Sequence, residues 1–172
     1  MRTECLNHKY VYGSNMQMNR LVEDVANEHQ SNTQVTGHRP FGVGLLVAGY
    51  DRTGPHLYET LPSGSYFEYK AMAIGARAQS AKTYIAKFWD DDKPGFDNMS
   101  ADELVMHGIR SLKGCIHGDE ELTAKNVAVA IVGKDKQFRF IKGNELVVHM
   151  KKALENDDDN DDGESKMDTD DD

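Results

Sequence analysis

The chain has 172 residues, 38% of them hydrophobic, with two cysteines and a formal net charge of −9. That length fits one domain with a core of its own, and no apolar run approaches the roughly 18 residues that span a bilayer. Residues 156–172 hold nine Asp, Glu164 and one Lys, a net of −9, which leaves a body with 19 acids and 19 bases and no basic excess for a nucleic acid. The first ten residues are charged and lack the apolar core of a secretory signal. Cys5 and Cys115 lie far apart without framework spacing, the usage of reduced thiols in a cytosolic or nuclear protein.

In chain order, residues 1–12 read as the end of a helix stopped by Gly13, Ser14 and Asn15. Asn19 is the expected cap of a second helix with Leu21, Val22, Val25 and Ala26 inward, fading before Gly37. Three strand-like runs follow, at 41–50, 56–61 and 66–74. Asp51, Arg52, Thr53, Gly54 and Pro55 form the first turn and residues 62–65 the second, because Gly tolerates positive φ and Pro fixes its own. At Gly75 the period becomes helical. A helix over 76–89 is expected, with Ile74, Ala78, Ala81, Ile85 and Phe88 on one face.

Residues 90–98 read as a loop. Ser100 and Glu103 have the spacing of a capping box, and the helix they start is expected to bury Leu104, Val105, Gly108, Ile109 and Leu112. Residues 126–132 are apolar on both faces, the pattern of a central strand. A turn at 133–136 leads to a strand at 138–141. A last helix over 145–154 is expected to present Leu146, Val147, Met150 and Leu154 inward. Local hairpins imply largely antiparallel sheet, and helical groups separated by strands imply an α+β sandwich. The expected organisation is a body over 1–155 and a disordered acidic tail over 156–172, because like charges repel there and few apolar groups oppose them.

Residues with chemistry are few. Gly42-Val43-Gly44 lacks the third glycine of a dinucleotide loop, since position 47 is Val. Gly133-Lys134 lacks the upstream glycine of a phosphate loop, since position 128 is Ala. Cys115, His117 and nearby His107 match no zinc spacing and read as a surface loop. Ser80 has no nucleophile-elbow context. In the tail, Ser165 and Thr169 each carry an acid three residues on, Asp168 and Asp172, which makes them candidate sites for an acidophilic kinase. No metal and no cofactor is implied.

Several blocks carry a resemblance: Arg39-Pro40-Phe41-Gly42-Val43-Gly44-Leu45-Leu46, Ala48-Gly49-Tyr50-Asp51, Gly54-Pro55-His56-Leu57-Tyr58, and Ala73-Ile74-Gly75-Ala76-Arg77-Ala78-Gln79-Ser80-Ala81-Lys82-Thr83-Tyr84. Over roughly residues 1–150 the chain resembles the alpha-type subunits of the 20S proteasome, nearest the alpha type-1 class. The resemblance implies the four-layer αββα sandwich of the amino-terminal-nucleophile hydrolases. It implies a non-catalytic subunit of the ring that restricts entry to the proteolytic chamber, in ubiquitin-dependent degradation in cytoplasm and nucleus. Its implied partners are neighbouring alpha subunits, the beta ring and regulatory particles, with no nucleic acid and no membrane. Arg77, Lys82 and Tyr84, off the apolar stripe, are the candidate subunit-interface residues.

Two other readings are a beta-type threonine peptidase and an unassembled fragment that binds ring neighbours. Peptide hydrolysis in this family needs an amino-terminal Thr activated by its own amine and a nearby Lys. Here Arg2 precedes Thr3, and the block at 79–84 is alpha-type. Residues 1–6 match positions inside the family's first long helix, so a truncated amino terminus is expected, with the gating tail and opening strands absent. Such a body would leave a sheet edge and an apolar face uncovered. Tyr50-Asp51-Arg52 spells the family's gate tripeptide but falls in a hairpin turn.

Overall fold

The computed structural model describes residues 1–88, 95–116, 122–134 and 136–155. The elements run in the expected order. They are α1 (Arg2–Tyr12), α2 (Met18–Gln34), β1 (Leu45–Asp51), β2 (Gly54–Thr60), β3 (Tyr66–Glu68) and α3 (Ala78–Ala86). After a short 3-10 turn at Phe96–Asn98 come α4 (Ala101–Lys113), β4 (Val129–Gly133), β5 (Lys136–Ile141) and α5 (Asn144–Glu155). The chain divides into two compact units, Met1–Ala78 with Ile131–Arg139, and Gln79–Ala130 with the residues from 140 onward.

In the first unit, α1 ends where Gly13 takes φ 67° and its N–H donates to the Lys9 carbonyl, a left-handed stop that glycine reaches at no steric cost. Helix α2 starts differently from expectation. Asn19 lies inside the helix, with its Oδ1 accepting from the Arg20 amide at 2.8 Å. The first free amide, Met18 N, donates instead to Asp51 Oδ2 at 3.1 Å, across 33 residues of sequence. Leu21, Val22, Ala26 and His29 form the buried stripe of α2, and Val25 is half-buried. They face a three-stranded antiparallel sheet of order β1-β2-β3, on which Tyr58 and Thr60 are the buried side chains of β2. Gly64, at φ 89°, sets how closely α2 approaches. A Cβ there would lie 2.6 Å from Gln30 Cβ and 2.9 Å from the Ala26 carbonyl oxygen.

Two strands are shorter than their apolar runs. β1 begins at Leu45, not at residue 41, because Leu45 pairs with Thr60 and the partner strand then turns, with Gly64 N donating to the Leu61 carbonyl. β3 stops at Glu68, not at Ile74. Its last rung is Tyr69 N to the Leu57 carbonyl at 2.8 Å. Two rungs further, the register would meet Pro55, which has no N–H to give.

In the second unit, α3 is shorter than the expected 76–89, and residue 89 lies outside the described residues. Gly75 and Arg77 take φ of 106° and 58°, so the chain turns before the helix starts. Ile74 is therefore off the helix and 39% exposed, which removes it from the expected stripe. Ala81 is buried, while Ala78, Ile85 and Phe88 are half-buried. The α4 capping box forms as read: Ser100 Oγ accepts from the Glu103 amide at 3.3 Å, and Glu103 Oε2 accepts from the Ser100 amide at 2.7 Å.

Only Val105 and Ile109 of α4 are buried; Leu104, Gly108 and Leu112 are exposed. One packed helix covers a narrow i, i+4 stripe rather than the full apolar arc. That helix is α5, which buries Leu146, Met150 and Ala153 but leaves Val147 exposed and Leu154 half-buried. Arg110 Nε ties the pair by donating to the Ala153 carbonyl at 2.9 Å.

β4 and β5 form a separate two-stranded sheet. Residues 126–132 were expected as a central strand. Along β4, however, Val129 and Ile131 are half-buried while Ala130 and Val132 face out, because β5 is its single partner among the described residues. The fold class is α+β with antiparallel pairing. The acidic tail at 156–172 lies outside the described residues.

Candidate functional site

The richest polar constellation lies in the first unit, where the β1–β2 turn meets β3. Asp51 opens the turn in the manner of an Asx turn, with its Oδ1 accepting from Thr53 N at 2.8 Å and from Thr53 Oγ1 at 2.5 Å. His56, on β2, reaches two carboxylates. Its Nδ1 lies 2.6 Å from Glu68 Oε1, and its Nε2 lies 3.2 Å from Asp51 Oδ1 and 2.7 Å from Thr53 Oγ1. Tyr58, next on the same face, donates from its hydroxyl to Glu68 Oε2 at 3.2 Å. The strand period places His56 and Tyr58 side by side, and the register sets Glu68 directly opposite Tyr58.

These contacts shift every titratable group in the cluster. Burial pushes the Asp51 carboxyl up. The Thr53 hydroxyl, the Met18 and Thr53 amides and the charge on His56 outweigh it and hold Asp51 well below the carboxylate range. The Glu68 hydrogen bond raises His56 against its burial, with the Asp51 charge adding to the rise. The same bond to His56 lowers Glu68, and burial followed by the Glu68 bond raises Tyr58. The arrangement favours an imidazolium between two carboxylates, with both ring nitrogens facing acceptor oxygens. A histidine so held is a poor base, and both hydroxyls beside it already donate, Thr53 to Asp51 and Tyr58 to Glu68, so the cluster is built as a clamp rather than a proton-transfer site. It joins the turn, β3 and the start of α2.

A cleft of about 620 Å³ opens beside this clamp, lined by His8, Ser14, Gln17, Arg20, Asp51 and Arg52 among others. In the second unit, an aromatic cluster gathers Tyr84, Phe88, Phe96 and His107. Tyr84 Oη donates to His107 Nδ1 at 2.9 Å, and the Phe88 ring stands edge-on to His107 at 4.5 Å. Burial and the nearby Arg110 charge lower His107, so the neutral imidazole is the acceptor Tyr84 needs.

Of the candidate interface residues, Arg77 is exposed in the turn before α3 and belongs to the first unit. Lys82 and Tyr84 lie half-buried on α3 in the second. Ser165 and Thr169 lie outside the described residues, as does His117. Cys115 Sγ donates to the Ser111 carbonyl at 3.5 Å. Thr3 sits within α1, its nitrogen part of the peptide chain. The His56 clamp was not anticipated, although Asp51-x-Thr53 and the alternation of His56 with Tyr58 were its available signs. The aromatic cluster had no sign at all, because its members come from three separate segments.

Residues 1–132 match the family of proteasome subunits. The chain belongs to that family. Within it, the chain is similar to the proteasome subunit alpha type-1 of Dictyostelium discoideum, 48% identical over 143 residues, which is 83% of this chain and 56% of that protein. It is similar to the alpha type-1 subunit of Trypanosoma brucei rhodesiense at 46% over 145 residues, 84% of this chain and 53% of that protein. It is similar to that of Drosophila melanogaster at 42% over 162 residues, 92% of this chain and 57% of that protein. The chain thus spans about half the length of these relatives.

Proposed function

We propose that this chain is a structural, non-catalytic subunit of the alpha ring of the 20S proteasome. It contributes to ring assembly and to the control of substrate entry in ubiquitin-dependent degradation. The observation that carries this reading is the 48% identity to an alpha type-1 subunit over 83% of the chain. The site chemistry supports it: His56 is committed to two carboxylates, and Thr3 has no amine of its own with which to act as a nucleophile. In this reading the helices and sheets complete a four-layer αββα sandwich within the particle. Neighbouring alpha subunits and the beta ring are its contacts, with regulatory particles above, in cytoplasm and nucleus.

The test is expression of the affinity-tagged chain in cells, followed by purification under native conditions. The expected result is co-purification of alpha and beta subunits in stoichiometric amounts, with no labelling of the chain itself by a threonine-directed epoxyketone. Recovery of the chain without other proteasome subunits overturns ring membership. Covalent labelling at Thr3 overturns the non-catalytic assignment.

A further inference from the structure

A second groove in the first unit, of about 710 Å³, runs between α1, α2 and the segment that enters β1. Its rim carries Glu4, Asp24 and Glu28, all exposed, together with Met1, and among the described residues no lysine or arginine side chain lines it. Among the described residues none of the three carboxylates takes part in an ion pair or side-chain hydrogen bond. Three unneutralised acids alone would be a solvated face. The floor makes the difference. His29 is only 5% exposed, yet it lines the groove. Its Nδ1 lies 3.1 Å from the Leu61 carbonyl oxygen, which can only accept, so Nδ1 carries the proton. The other ring nitrogen, Nε2, has no partner among the described residues. The Phe41 ring packs against the imidazole at 4.8 Å between centroids and is itself 38% exposed, and Leu45 continues the apolar floor.

We propose that this groove is a docking site for an arginine-bearing segment of a partner protein. The guanidinium is the side chain whose chemistry meets every feature present. It has N–H donors to spare for Nε2 and for the rim carboxylates, a positive charge for three acids, and a planar face that stacks on an aromatic ring. Apolar neighbours of that arginine would cover Phe41 and Leu45. All the groups lie within one unit, so the proposal does not depend on the ring-subunit reading.

The probe is a fluorescein-labelled hexapeptide of alternating leucine and arginine, titrated by anisotropy into the full chain. The control peptide carries citrulline, the neutral isostere, at each arginine. The expected result is saturable one-to-one binding that the citrulline peptide loses. Glu28→Gln and Asp24→Asn should each weaken it about fivefold, the scale of one charge pair at a partly exposed rim. Both positions are exposed, so the fold should be kept, and circular dichroism checks this. Glu23→Gln, the same charge change on α2 outside the groove lining, should have no effect.

Three results overturn the proposal. They are equal binding of the citrulline peptide, equal losses from Glu23→Gln and Glu28→Gln, and self-association of the chain that Glu28→Gln abolishes, which would make a second copy the occupant.

Discussion

Asp51 Oδ2 receives the Met18 amide at 3.1 Å, so the first orphan donor of α2 is satisfied by a residue in a hairpin turn 33 positions later. Caps supplied by a neighbouring residue are worth about 0.5–2 kcal/mol. This one also holds the turn through Thr53. Asp51→Ala should therefore destabilise the chain by about 2 kcal/mol in urea denaturation, whereas Asn19→Ala, at the position expected to cap, should change stability by less than about 0.5 kcal/mol. Equal effects would show that the amide of Met18 needs no partner.

The clamp gives stability a defined pH window. The pKa of His56 is raised in the folded state above 6.5, so its contribution is complete below 6.5 and is lost as pH climbs through the folded value. Glu68 and Asp51 are lowered from 4.5 and 3.8, so theirs are complete above those values and are lost as pH falls through the folded ones. The clamp is thus fully engaged between 4.5 and 6.5. In His56→Gln the loss of stability on the alkaline side of this window should shrink, measured as Tm against pH. A titration of the His56 ring protons by NMR should place its midpoint above that of a free histidine.

His107 should act in the opposite sense. Its pKa is lowered from 6.5, so folding favours the neutral ring, and stability falls as pH drops below 6.5. Tyr84→Phe removes the donor and should cost about 1 kcal/mol at neutral pH, the ordinary net worth of a hydrogen bond. Between pH 6.5 and 4.5, above the range where Glu68 and Asp51 titrate, the slope of Tm should persist in Tyr84→Phe and flatten in His107→Gln.

Gly64→Ala should be the most damaging single methyl in the first unit. The added Cβ would press on the α2 backbone at Ala26, and the φ of 89° is one that alanine rarely adopts. A loss of about 2 kcal/mol or more is expected, against near neutrality for Gly42→Ala, where a Cβ meets nothing within 4 Å. Equal denaturation midpoints for the two variants would show that α2 slides outward at no cost.

Much of this architecture was legible in advance, because it rests on local rules. The Ser100–Glu103 capping box, the left-handed stop at Gly13 and the turn at Asp51 need only the residues that make them. The apolar runs overstate strand length for a non-local reason. Apolar residues continue past Glu68, but a ladder lasts only as long as its partner can give and accept. Periodicity gives α4 too wide an inner face, because it marks which side chains could be covered, and the packing of α5 decides which are. The site residues were least legible. His56, Glu68 and Asp51 are individually ordinary, and only the register brings them together.

Pro55 has a consequence beyond the length of β3. A meander whose middle strand carries a proline near its outer end gives an incoming extended chain no continuous row of donors, so intermolecular strand growth along that margin would stall. The imidazole–carboxylate contact of His56 with Glu68 lies beside the point where main-chain rungs run out. Side chains there perform the cross-strand joining that the backbone no longer can, which makes that corner of the sheet both stitched and closed to recruitment.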